Sequence, residues 1–307
     1  MEQFIPNSGT AMIFNIQHFC IHDGPGIRTV VFFNGCPLTC PWCCNPESCA
    51  LRPVLLYNKK NCVLCGRCAQ VCPVNAVSIE DGIRSMNPEL CTSCGRCVEE
   101  CGYDALELSG RVYTLEEAAE EILKDQAFFE KSGGGVTYSG GEALMQIGFL
   151  EKLSQRLRSK GIHIACETTA ALESDRYCRL LDSVDYVMMD IKHYDEKRLL
   201  KVCHADLGLI RENIRETVKR QVPLIGRIPV IPGFNASMED MEGFAKFGRE
   251  LGIKEYHLLA FHQLGEEKYE RLQRNYQMKG VLPLHKEDLE EYADYLSKQG
   301  FHVEIGR

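Results

Sequence analysis

"NGCPLTCPWCCNPES", residues 34–48, sets Cys36, Cys40 and Cys43 at C-x3-C-x2-C spacing, with Cys44 directly behind the third. Three thiolates can hold three irons of a cubane iron–sulfur cluster and leave the fourth iron open, much as a catalytic zinc keeps one position free. Gly35, Pro37 and Pro41 suit a tight loop that wraps such a cluster and offers backbone N–H groups to its sulfides. The apolar run TVVFFNG, 29–35, leads straight into the loop and reads as a strand.

Downstream, TLEEAAEEILKDQAFFEKSGGG opens with a capping box from Thr114 to Glu117 and stops at glycines, so one helix is expected there. Then follow strand-like runs, GVTYSGG, HIACETT, DYVMMDIK, IGRIPVIPG, EYHLLAFH and HVEI, most of them separated by charged stretches of helical period. The repeated strand–helix pattern predicts an α/β fold with parallel strands, an open or partial barrel whose site sits at the carboxyl ends of its strands. A cysteine-rich insert would interrupt it between its first and second strands. The expected division is 1–52 and 111–307 for the barrel and 53–110 for the insert.

Seventeen cysteines are present, fourteen of them between Cys20 and Cys101. The insert holds an internal repeat, CVLCGRCAQVCPVNAVSI at 62–79 and CTSCGRCVEECGYDALEL at 91–108, each reading C-x2-C-x2-C-x3-C. This is the bacterial ferredoxin signature, in which the fourth cysteine of each run serves the other cluster. One 4Fe-4S cluster is therefore expected on Cys62, Cys65, Cys68 and Cys101, and another on Cys91, Cys94, Cys97 and Cys72. Zinc is the competing occupant, but zinc ribbons set two C-x2-C pairs apart rather than packing four cysteines into one short run. Gly102 replaces the proline that follows the first run, a change in turn geometry more than in ligation. Cys20, Cys49, Cys166, Cys178 and Cys203 read as small buried or surface thiols.

A net charge of −8 argues against a general nucleic-acid or acidic-membrane binder, since phosphate would be repelled. No apolar run of membrane-spanning length and no secretory leader is seen, so a cytoplasmic protein with reduced, ligand-forming thiols is expected.

C-x3-C-x-aromatic-C at a strand end resembles the radical S-adenosylmethionine superfamily. HDGPGIRTVVFFNGC ahead of it resembles the activating enzymes of glycyl radical enzymes, as do SGGGVTYSGGEAL, CETTA, MMDIKH, RIPVIPGFN and LLAFHQLGEEKY, in that order along nearly the whole chain. The insert resembles the longer subgroup, which serves decarboxylases, dehydratases and C–N or C–S lyases. The resemblance implies a partial (β/α)6 barrel with a ferredoxin-like α+β insert and three 4Fe-4S clusters. It implies that Cys36, Cys40 and Cys43 hold the catalytic cluster, whose open iron binds the methionyl group of S-adenosylmethionine. Cys44 in place of Cys43 would read C-x3-C-x3-C; with Cys43, Trp42 falls in the aromatic position before the last ligand.

The resemblance further implies cofactor contacts from Gly140, Gly141 and Glu142, where glycine lets the backbone approach the ligand, and from Asp190, Ile191 and Lys192. Asp190 and Lys192 share a strand face and offer an acceptor and a cation to a zwitterion. Glu167 and Thr168, with Asp190 and the Met188 carbonyl, match a monovalent-cation site, and His262 matches a histidine near the adenosine. Asp23, Gly24 and Arg28 match a mobile loop that closes on the partner's glycine segment. The implied reaction is reductive cleavage of S-adenosylmethionine to a 5'-deoxyadenosyl radical, which takes hydrogen from a glycine of the partner. The electron would come from flavodoxin or ferredoxin, and a monomer is expected. A three-cluster electron carrier would explain the cysteines but not the α/β body, and a radical enzyme for a small molecule or peptide would not need HDGPGIR.

Overall fold

The computed structural model describes residues 7–306; residues 1–6 and 307, at the outer limits of the two expected barrel portions, lie outside the described residues. The strands are β1 (Thr10–Cys20), β2 (Arg28–Phe33), β3 (Val54–Tyr57), β4 (Val77–Glu80), β5 (Ile83–Met86), β6 (Leu106–Ser109), β7 (Arg111–Thr114), β8 (Gly135–Gly140), β9 (His163–Thr168), β10 (Tyr186–Asp190), β11 (Leu224–Val230), β12 (Glu255–Ala260) and β13 (His302–Gly306). Nine of them form one sheet in the order β13-β12-β11-β10-β9-β8-β2-β1-β7. From β2 through β13 every pairing is parallel, while β1 joins β2 and β7 antiparallel.

Each parallel strand lies beside the next one in the chain, so right-handed crossovers put the connecting helices on a single face. The sheet is a curved half-barrel with one concave wall and two open edges. β12 shows the division of faces: Tyr256 and Leu258 are fully buried on the helix side, where the Tyr256 hydroxyl donates to the Phe244 carbonyl at 3.0 Å, and Glu255, His257 and Leu259 alternate onto the concave wall.

Between β2 and β8 the chain leaves the main sheet. Residues 54–109 form two two-stranded antiparallel pairs, β3–β6 and β4–β5, with one-turn helices at Arg67–Gln70 and Arg96–Glu99. β1 and β7, not anticipated as strands, extend the sheet beyond β2. The expected capping box forms, the Thr114 hydroxyl accepting from the Glu117 N–H at 3.2 Å and the Thr114 N–H donating to Glu117 at 2.7 Å. The helix it starts does not run through to the glycines: it breaks into Leu115–Leu123 and Gln126–Ser132. Asp125 at the break is buried and accepts from the Thr29 hydroxyl at 2.6 Å, with His18 at 2.6 Å on the same oxygen. Among the described residues no helix is long and apolar enough to cross a membrane.

Candidate active site and cysteine cavities

The carboxyl ends of β2 and β8–β12 surround a cavity of about 310 Å³. Cys36, Cys40, Trp42, Cys43 and Cys44 enter from the loop after β2; Gly140 and Gly141 from β8; Glu167 and Thr168 from β9; Asp190 and Lys192 from β10; and His262, exposed at the rim, from the segment after β12. Backbone bonds fold the loop onto itself, Gly35 N–H to the Ser48 carbonyl at 2.6 Å and Cys43 N–H to the Cys40 carbonyl at 3.1 Å. Trp42 packs on Phe234 with ring centroids 4.8 Å apart.

Gly140 has φ +113°, and a Cβ there would lie 2.3 Å from the Phe33 nitrogen; one on Gly141 would lie 2.4 Å from the Gly35 carbonyl oxygen. The two glycines are thus required first by the chain's own β2–β8 contact, and the cavity wall follows from it.

Burial pushes the Cys36 thiol up to about 12 and Cys44 up to about 11. Cys40 and Cys43 are also pushed well up, chiefly by hydrogen bonds to Cys203 and Cys49, then by burial. Thiols so disfavoured as anions ionise more readily beside positive charge, such as a metal's, and Lys192 offers a cation to all four. The Lys192 ammonium is opposed by burial, but Asp190 at 3.1 Å, aided by Cys40 and Cys203, outweighs it and holds the lysine above its ordinary value.

Several expected contacts sit elsewhere. The Glu142 side chain is fully buried and does not reach the cavity; its carboxylate accepts from the hydroxyls of Thr168 at 2.8 Å and Thr169 at 2.7 Å and from the Thr169 N–H at 2.8 Å. It organises the turn after β9. Ile191 is 1% exposed and packs in the core, because strand alternation sends it opposite to Asp190 and Lys192. The cation expected at Glu167 and Thr168 meets two ligands already engaged: Glu167 pairs with Arg227 and accepts from Ser139, and the Thr168 hydroxyl is turned to Glu142.

Arg28 corrects the reading of the 22–28 loop. It is fully buried, donating from Nε to the Thr137 hydroxyl at 2.6 Å, from one terminal nitrogen to the Pro25 carbonyl at 2.9 Å, and from the other to the Val136 carbonyl. It anchors the loop and is not presented to a partner. Asp23 is partly buried; burial, then the charge of Glu167, pushes its carboxyl up.

The sequence did not single out Arg227 or Thr169 as site residues, and it marked Cys49 and Cys203 only as small thiols, whereas they lie against Cys43 and Cys40. An arginine inside the apolar strand IGRIPV was the available signal for the first; the others carry none.

In the insert, one cavity is lined by Cys62, Cys65, Cys68 and Cys101, a second by Cys72, Cys91, Cys94 and Cys97. The repeat extends to the backbone: Leu64 and Ser93 take φ of 58° and 54° at matching positions. Backbone N–H groups at Val74, Ala76, Val77 and Asn75 outweigh burial at Cys72 and hold its thiol below the ordinary value, with Ala76 N–H 3.1 Å from the sulfur.

The sequence profile of the radical SAM superfamily matches residues 30–247. The chain belongs to the radical SAM superfamily. It is 36% identical over 96% of its length to the pyruvate formate-lyase 2-activating enzyme of Escherichia coli, covering 92% of that protein. It is 41% identical over 89% of its length to the (2S)-3-sulfopropanediol sulfolyase activating enzyme of Bilophila wadsworthia, covering 92% of it. The radical SAM fold extends to the crystal structure of QueE from Escherichia coli, with a TM-score of 0.50, 11% identity, and coverage of 96% of this chain and 93% of that one. The family implies a 4Fe-4S cluster and S-adenosylmethionine.

Proposed function

We infer that this radical SAM protein is an oxidoreductase that activates a glycyl radical enzyme, with Cys36, Cys40 and Cys43 as the ligands of its catalytic 4Fe-4S cluster. The observation that carries the assignment is the opening of three thiols and the Lys192–Asp190 pair onto one cavity. The donor set fits: three soft thiols suit a cluster with one open iron, and a cation beside a carboxylate suits the zwitterionic methionyl group. When bound, the cluster and S-adenosylmethionine supply reductive S–C5' cleavage and a 5'-deoxyadenosyl radical that takes hydrogen from a partner glycine.

The chain's own work is positioning and charge complementarity. Lys192 and Asp190 orient the methionyl group, the 140–141 backbone walls it in, Trp42 and Cys44 border it, and His262 closes the rim near the adenosine. Arg227 holds Glu167 in place. Asp23 and Gly24, carried on the loop that Arg28 anchors, meet the partner's glycine segment. Residues 53–110 form a ferredoxin-like insert with two further 4Fe-4S clusters, on Cys62, Cys65, Cys68 and Cys101 and on Cys91, Cys94, Cys97 and Cys72. The electron for the site cluster would come from flavodoxin or ferredoxin. The protein acts as a cytoplasmic monomer under anaerobic conditions.

Anaerobic reconstitution tests this. About twelve irons per chain are expected, falling to about eight in a Cys36/Cys40/Cys43 triple alanine variant that yields no 5'-deoxyadenosine from S-adenosylmethionine. Twelve irons with no cleavage under any reductant would leave an electron carrier instead.

A further inference from the structure

At the amino ends of β12 and β13 four side chains meet that the reaction does not use. The parallel register pairs Glu255 with His302 and His257 with Glu304. Two-residue alternation puts all four on the concave wall. His257 Nε2 lies 3.0 Å from Glu255 Oε1 and 3.6 Å from Glu304 Oε2; His302 Nε2 lies 3.6 Å from Glu304 Oε1 and 4.0 Å from Glu255 Oε1. Ligand atoms of Glu255, His302 and Glu304 all fall within 4.8 Å of one another.

We propose that Glu255, His257, His302 and Glu304 form a site for a divalent first-row transition metal, with zinc as the fitting ion. Two imidazoles and two carboxylates are a borderline-hard N2O2 set, which suits Zn²⁺ and neither a thiolate-seeking ion nor the all-oxygen shell of calcium. A carboxylate is within reach of each imidazole, so the ligands need only small rotamer changes to close on an ion.

The position gives the ion a task. β13 is the last strand of the sheet and an open edge, with His302 and Glu304 exposed. An ion shared between β12 and β13 would pin that edge strand to the wall that carries the cavity, since Glu255 precedes the cavity-lining Leu259 by four residues, ~13 Å along the strand. The site is separate from every cysteine cavity.

The test uses the cluster-loaded chain, so that the cysteines are occupied, with Zn²⁺ as the probe after chelator treatment. One zinc per chain should be retained with no loss of iron, and its X-ray absorption should show only nitrogen and oxygen neighbours at about 2.0–2.1 Å, without sulfur at about 2.3 Å. Affinity measured against a chromophoric chelator should fall at least about tenfold in both His302→Ala and Glu304→Gln. No retained zinc, zinc bound through sulfur, or unchanged affinity in the two variants would each overturn the assignment.

Discussion

Lys268 Nζ lies 2.6 Å from Glu47 Oε1 and 2.7 Å from Asn45 Oδ1, tying the helix Glu266–Arg271 to the loop that carries the three site cysteines. The same segment reaches the insert: Arg271 pairs with Glu107, Leu272 packs with Val54 and Leu56, and Gln273 donates to the Arg84 carbonyl at 3.4 Å. One short helix thus braces the cysteine loop and the insert together.

Lys268→Met should therefore destabilise the fold. Glu47 is only 5% exposed, and its other oxygen already lacks a partner, so the variant strands a buried carboxylate. Loss of a fully buried pair costs about 3–5 kcal/mol; with the lysine partly in solvent, about 1–3 kcal/mol is expected. Urea unfolding of the cluster-loaded protein reads it, and Lys268→Arg should retain most of the stability. A midpoint unchanged in Lys268→Met would show that the clamp contributes nothing.

Arg28 gives a second test. Arg28→Ala removes donors to Thr137, Pro25 and Val136 and leaves a cavity, at a cost of about 3–5 kcal/mol. Arg28→Lys should rescue little, because one ammonium cannot reproduce the guanidinium's fixed fork of donors. If Arg28 instead served only the partner, both variants would melt as the parent does and lose only the activation reaction.

How far the sequence could be read follows from what kind of signal each residue leaves. Cysteine spacing is one-dimensional, and the structure gathers each expected set of cysteines around one cavity. Strand order was legible because parallel strands alternate with helices. Side-chain direction was not: Glu142 and Arg28 stand in motifs that look functional, yet both face inward, and polar residues give no sign in sequence of which way they point. Ile191 was recoverable from alternation alone, since Asp190 and Lys192 cannot share a face with it. Cys203 and Cys49 reach Cys40 and Cys43 only through tertiary packing.

Glu142→Gln isolates the turn after β9. The carboxylate accepts from Thr168, Thr169 and the Thr169 N–H, and a carboxamide would set a donor against a donor. Destabilisation of about 1–3 kcal/mol is expected, with weaker S-adenosylmethionine binding because Thr168 lines the cavity. Equilibrium dialysis with the cofactor measures the second effect; unchanged affinity alongside lower stability would confine Glu142 to a role in folding.

Asp190 makes the fold's stability depend on acid. Burial alone would raise its carboxyl, but Lys192 at 3.1 Å and Arg227 outweigh burial and hold it below the ordinary value of 3.8. Because the folded value is the lower one, the contribution is complete above the unfolded value, near 3.9, and is lost as pH falls through the folded value. Lys192 carries the opposite sign: its raised value stabilises below about 10.4 and fades only in strong alkali. The pair should thus give a plateau from about pH 4 to about pH 10. Asp190→Asn lowers that plateau and strips the metal-free, reduced protein of part of its acid sensitivity. In urea midpoints taken from pH 6 down to pH 3, the gap between parent and variant should narrow as pH drops below 4. Curves that stay parallel throughout would mean that Asp190 titrates alike in the folded and unfolded chains, and that the Lys192 contact does not bias it.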